Sequence, residues 1–138
     1  MVSKVVAIAG GTGNLGQAIV ERIVASGKFK VFVLAREVSS RPSSTDYTVH
    51  IHGHPFLTAE QASETKSKEL GADVLAIDYT DVNSIVKVLE DHKIDTLIST
   101  LGSMFGQDPE LALIQAADKS KSTKRYIPSA WGIKYTAE

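Results

Sequence analysis

The stretch Lys4-Val5-Val6-Ala7-Ile8-Ala9-Gly10-Gly11-Thr12-Gly13-Asn14-Leu15-Gly16 decides the fold. It opens on a short, nearly continuous apolar run, the pattern of a strand buried on both faces of a sheet. Glycines follow at once. Gly11, Gly13 and Gly16 match G-x-G-x-x-G, and Gly10, Gly13 and Gly16 match G-x-x-G-x-x-G. A helical rhythm comes next, with Leu15, Ala18, Ile19 and Ile23 on one face and Val20 and Val24 beside them. Gly27 stands where a helix C-terminal glycine belongs. Lys30 to Ala35 reads as a second strand, which completes a βαβ unit of roughly thirty residues. Glycines cluster in many turns, so the motif alone is weak. Between a buried strand and an amphipathic helix it reads as a dinucleotide-binding turn. Missing side chains let backbone N–H groups approach a pyrophosphate, and the helix N-terminus adds partial positive charge. A purely structural turn is the competing reading, but each glycine lowers stability unless the backbone conformation requires it. A P-loop is excluded, because Gln17-Ala18 stand where Lys and Ser or Thr would be needed.

Outward from this unit the rhythm breaks and returns. Val38 to about Phe56 is rich in Ser, Thr, Pro and His, without periodicity, and reads as a long exposed loop. A helix is expected near Thr58 to Leu70, a strand over Asp73 to Ile77, and a helix over Asp81 to His92 with Asp81 as its N-cap. Ile85, Val86 and Leu89 would face inward on that helix. Asp95 to Ser99 is the fourth strand. Pro109 to Lys119 is a helix, with Pro109 in its first turn and Leu111, Ile114, Gln115 and Ala117 to Asp118 running along it. Arg125 to Ile127 is the fifth strand. Alternating strands and helices predict an α/β, doubly wound Rossmann fold, with a parallel sheet of about five strands and helices on both faces. Ligands of such sheets sit beyond the carboxyl ends of the strands, at the switch point. Gly10 to Gly16, Ala35-Arg36, Thr100 to Gly102 and Pro128-Ser129 all fall at such ends.

Composition bounds the rest. The 138 residues suit one domain, and 43% are apolar, enough for a core. The formal net charge is −1, which gives no electrostatic case for nucleic acid or an anionic membrane as partner. With no cysteine there is no disulfide, thiolate nucleophile or cysteine zinc site. No apolar run reaches the length of a membrane span, and nothing before the first strand reads as a signal peptide. A soluble, cytoplasmic α/β domain is the expectation.

The second strand ends Val33-Leu34-Ala35-Arg36. NAD-selective sites usually carry an acidic residue here, which accepts from the ribose hydroxyls. An arginine instead can grip a 2′-phosphate with a two-pronged fork. NADP is therefore favoured, with NAD the alternative. The bland reading of Arg36 is a solvated side chain paired with Glu37. Arg41 could add a second positive charge.

Gly10 to Gly16, Val33-Leu34-Ala35-Arg36, Gly71-Ala72-Asp73-Val74 leading to Asp78, Leu97 to Gly102, and Lys124-Arg125-Tyr126-Ile127-Pro128-Ser129-Ala130-Trp131-Gly132 form a series. That series resembles the NmrA-like and isoflavone reductase-like group of atypical short-chain dehydrogenases, over nearly the whole chain apart from 38–66. The Arg-Tyr-Ile-Pro-Ser element is the more specific part. The resemblance implies NADP(H) binding. It also implies either hydride transfer to small, often aromatic compounds, or redox-sensing regulation without turnover and with a protein partner. Carried over, Gly10, Gly11, Thr12, Gly13, Asn14, Leu15 and Gly16 would hold the pyrophosphate and Arg36 the 2′-phosphate. Asp78 and Tyr79 would lie near the adenine. Thr100, Leu101 and Gly102 would border the ribose and nicotinamide side, and Pro128, Ser129 and Ala130 would flank the nicotinamide pocket.

The sequence also departs from the group. Ala130 stands where the reductases often have Glu, and the 38–66 segment is longer than usual. Family members are about twice as long, so 1–138 is expected to be the NAD(P)-binding domain, with an insertion at about 38–57 and without the substrate subdomain. A truncated, inactive product is the third reading. No catalytic residue is assigned. Lys134 is too close to the Pro-Ser element to be the reductases' lysine, and Tyr47, Tyr79 and Tyr126 have no lysine four residues on. His50, His52 and His54 would share a strand face and could bind zinc. Without an evident fourth ligand an exposed loop is preferred, and no metal is expected. Asp78, Asp81 and Asp91 read as turn and cap residues. Trp131 reads as a pocket wall.

Overall fold

The computed structural model describes residues 4–36, 59–102 and 107–130, with side chains from 64 onward in the second segment. The order is β1 (Val5–Ala9), α1 (Asn14–Ala25), β2 (Lys30–Arg36), α2 (Ala59–Leu70), β3 (Asp73–Ile77), α3 (Val82–Asp91), β4 (Thr96–Ser99), α4 (Asp108–Lys119) and β5 (Arg125–Ile127). The strands form one parallel sheet in the order β3-β2-β1-β4-β5. This is the doubly wound Rossmann arrangement, with its switch point between β1 and β4. The expected elements are present, with ends shifted by a residue or so.

Successive side chains of a strand point to opposite faces, so β1 feeds two cores. Val6 and Ile8 pack with Val20, Val31, Val33 and Leu70 on the α1–α2 side. Ala7 and Ala9 pack with Leu34, Ile85, Leu89, Leu97 and Leu113 on the α3–α4 side. Asp95 ties the start of β4 to β1, its carboxylate accepting the Lys4 and Val5 amides at 2.9 Å each. Gly27 ends α1 with a φ of +64°, the left-handed conformation expected of it.

The buried face of α1 differs from the periodic reading, and that of α4 is defined by small residues. On α1 the buried residues are Gly16 and Val20, whereas Leu15 is 64% exposed and Ala18 is exposed. The helix is rotated because Gly16 must press against the turn preceding it. On α4, Ala112, Leu113 and Ala116 are buried, and Leu111 and Ile114 point outward. The small alanines let α4 lie close against α3 and the sheet.

Candidate functional site

The glycine turn is shaped by close contacts. Gly10 has a φ of +76°, its N–H donates to the Leu34 carbonyl at 3.2 Å, and its carbonyl accepts from the Gly13 N–H at 3.0 Å. A Cβ on Gly16 would lie 2.2 Å from the Gly10 carbonyl oxygen, and one on Gly11 would lie 2.9 Å from Val33. The fold itself therefore demands those two glycines. Gly13 is different. A Cβ there would meet only the Gly10 oxygen, at an ordinary 3.4 Å, and its backbone is extended, with φ −79° and ψ 168°. Gly13 is also the N-cap of α1, a position where Ser, Asp or Asn would stabilise the helix. No side chain caps α1, and its first turn carries no acidic residue. The leading amides of the helix, from Asn14 to Gly16, have no partner within the helix and face the carboxyl edge of the sheet. An exposed, uncapped helix start lacking a side chain the fold would tolerate is a cradle suited to an anion.

The other expected residues follow the carboxyl ends of the remaining strands. Arg36 is exposed at the end of β2, on the wall of a cavity of about 740 Å³ shared with Asp78, Tyr79, Pro109 and Gln115. Glu37 and Arg41 lie outside the described residues. The Asp78 carboxylate accepts the Thr80 amide at 2.8 Å and the Thr80 hydroxyl at 2.6 Å, and these bonds hold its pKa below the ordinary value. Asp78 is thus a turn residue, as the sequence reading expects. Tyr79 is a core residue at the cavity floor, its hydroxyl donating to the Leu34 carbonyl at 3.3 Å. Burial pushes its phenol up to about 12, with the Arg36 charge acting in the opposite direction.

The Thr100 hydroxyl donates to the Ala9 carbonyl at 2.8 Å and lies against Gly10, so it backs the glycine turn from within. Leu101 is half-buried against the core, while Gly102 is open to solvent. Pro128 and Ser129 are exposed beyond β5. Sequence reasoning missed Glu110. Its carboxylate joins Ser99, Tyr126 and the Ser129 amide. An acidic residue in a first helical turn looks like an ordinary partner for the helix dipole, and nothing local marks it out. Trp131, Lys134 and the three histidines fall outside the described residues. Among those described, no group of His, Asp and Glu could hold a metal ion, and no helix is long and apolar enough to cross a membrane.

Fold and turn together define a doubly wound α/β domain with a dinucleotide-type glycine turn at its switch point. The NmrA-like family model matches residues 2–137, and the chain belongs to that family. Among curated relatives, Oxidoreductase BOA1 of Botryotinia fuckeliana is 36% identical, over 94% of this chain and 36% of its own. Phenylcoumaran benzylic ether reductase TP7 of Nicotiana tabacum is 33% identical, over 95% and 36%. The binary complex of leucoanthocyanidin reductase with NADPH, from Vitis vinifera, superimposes with a TM-score of 0.64 at 26% identity, over 94% of this chain and 37% of that one. The chain thus spans about a third of the length of these relatives, less than the half that the resemblance suggests.

Proposed function

We propose that this chain is the NADP(H)-binding portion of a cytoplasmic oxidoreductase that reduces small organic substrates, aromatic ones among them. The observation that carries the reading is Gly13. The fold does not need a glycine there, whereas a pyrophosphate approaching the uncapped start of α1 does. Gly10 to Gly16 hold the pyrophosphate, the Asn14, Leu15 and Gly16 amides donating to it. Arg36 grips the 2′-phosphate, and the cavity beside it takes the adenine against Asp78 and Tyr79. Thr100 to Gly102 and Pro128-Ser129 border the nicotinamide half. When bound, the cofactor supplies the hydride, and the protein supplies orientation and exclusion of water. The likeness to an NADPH-bound leucoanthocyanidin reductase and to AtPrR2 with NADP+ and (+)-pinoresinol supports the same cofactor and a small-molecule substrate.

A second reading, binding without turnover by this chain, is favoured by the two tyrosines among the described residues. The Tyr79 hydroxyl is buried on the Leu34 carbonyl, and that of Tyr126 is committed to Glu110. Neither is free to protonate a substrate. A regulator of this kind would act through a protein partner.

Calorimetric titration with NADPH and NADH tests the reading. NADPH is expected to bind more tightly. Gly13→Val should abolish binding of both, and Arg36→Glu should weaken NADPH alone, by about 1.5–3 kcal/mol for a lost charge-assisted contact. A folded chain that binds neither nucleotide refutes the proposal. Oxidation of bound NADPH by a panel of small aromatic substrates separates the enzyme from the non-catalytic binder.

A further inference from the structure

Glu110 receives three donors from the ends of two strands. The Ser99 hydroxyl of β4 donates to Oε2 at 2.5 Å. The Tyr126 hydroxyl of β5 and the Ser129 amide just beyond it donate to Oε1 at 2.6 and 3.0 Å. Ser99 Oγ in turn accepts the Leu101 amide at 3.4 Å. One half-buried side chain on α4 thus ties Leu101, just after β4, to Ser129, just after β5. Burial explains only part of this. Ser99 is 3% exposed and needs a partner, but Ser129 is exposed and water could satisfy its amide.

In a doubly wound sheet each half of a dinucleotide lies over its own half of the strands, on either side of the switch point. Arg36 and Asp78 lie on the β2–β3 side. Leu101 and Ser129 lie on the other. We propose that Glu110 is a positioning residue for the nicotinamide half of the cofactor, setting the separation between the Leu101 and Ser129 backbones that border it. This rests on the NADP(H) reading above. Alanine at 110 frees both residues at once. Glutamine keeps an oxygen for Tyr126 and Ser129 and offers an N–H to Ser99 Oγ, so it preserves the tie.

The test compares NADPH with adenosine 2′,5′-bisphosphate, which carries the adenine and 2′-phosphate but no nicotinamide. Both are titrated calorimetrically into the wild type, Glu110→Ala and Glu110→Gln, and amide exchange is read without ligand. Glu110→Ala should weaken NADPH roughly tenfold, the scale of one lost hydrogen-bonded anchor, and leave the bisphosphate unchanged. Exchange at Leu101 and Ser129 should quicken. Glu110→Gln should restore both readouts. Equal weakening of the two ligands, or unchanged NADPH affinity, overturns the proposal. If alanine prevents folding, Glu110→Asp, one methylene short, takes its place with the same expected split. If the wild type binds neither ligand, the cofactor reading fails and exchange alone decides. Faster exchange confined to Leu101 and Ser129 then keeps the anchor, and unchanged exchange removes it.

Discussion

Gly13 and Gly16 lie three residues apart in one turn, and the fold treats them differently. At Gly16 the constraint is internal, since a methyl would collide with the Gly10 carbonyl at 2.2 Å. Gly16→Ala should lower stability by about 3 kcal/mol, the upper end for overpacking against an unyielding neighbour, as read by urea denaturation. At Gly13 the fold imposes no such constraint, and in the proposed reading the pyrophosphate does. Serine there would cap α1, so Gly13→Ser should raise stability by a few tenths of a kcal/mol and yet weaken NADPH binding. A variant that is stabilised and still binds fully would remove the argument from Gly13. The glycine motif was legible in the sequence, but the division of labour within it was not, because Cβ clearances depend on the packed turn. Glu110 was illegible for the same reason. Ser99 and Tyr126 lie 11 and 16 residues from it in the chain and meet it only once β4, α4 and β5 are assembled.

At the scale of elements, local chemistry placed most boundaries. The Asp81 carboxylate accepts the Asn83 and Ser84 amides at 3.0 and 3.1 Å, the capping expected from its place before an apolar pattern. Asp81→Ala should cost about 1 kcal/mol, within the usual range for a lost N-cap, and thermal denaturation would show it. Pro109 falls in the first turn of α4 as expected, since a missing N–H is harmless there. Helix faces were harder to read. Apolar spacing drew Leu15 and Ala18 onto the inner face of α1, but Gly16 is the residue that touches the turn. On α4 the spacing named no inner face, and Leu111 and Ile114 sit outside because Leu113 and the alanines fit the narrow space against β4 and α3. Periodicity counts apolar residues, whereas packing selects those whose size fits the gap.

Across the whole molecule, buried tyrosines set a limit in alkali. Burial raises the Tyr79 phenol from its ordinary value near 10 to about 12, and burial with the Glu110 contact raises Tyr126 as well. A raised folded value means stability that is full below pH about 10 and is lost as pH climbs toward 12. Unfolding between these values should coincide with phenolate absorbance, and Tyr79→Phe should flatten the decline. An equally steep decline in that variant would move the cause elsewhere. The sequence by itself determined the class of the fold. Buried strands alternating with amphipathic helices admit few arrangements other than a parallel sheet wound in both directions. It also placed a glycine turn and Arg36 at strand ends, because each is a local pattern. The tertiary structure alone decided which glycine the fold requires and which it leaves free, and it alone joined Ser99, Glu110, Tyr126 and Ser129. Steric clearance and hydrogen bonding between distant segments exist only after the strands lie side by side.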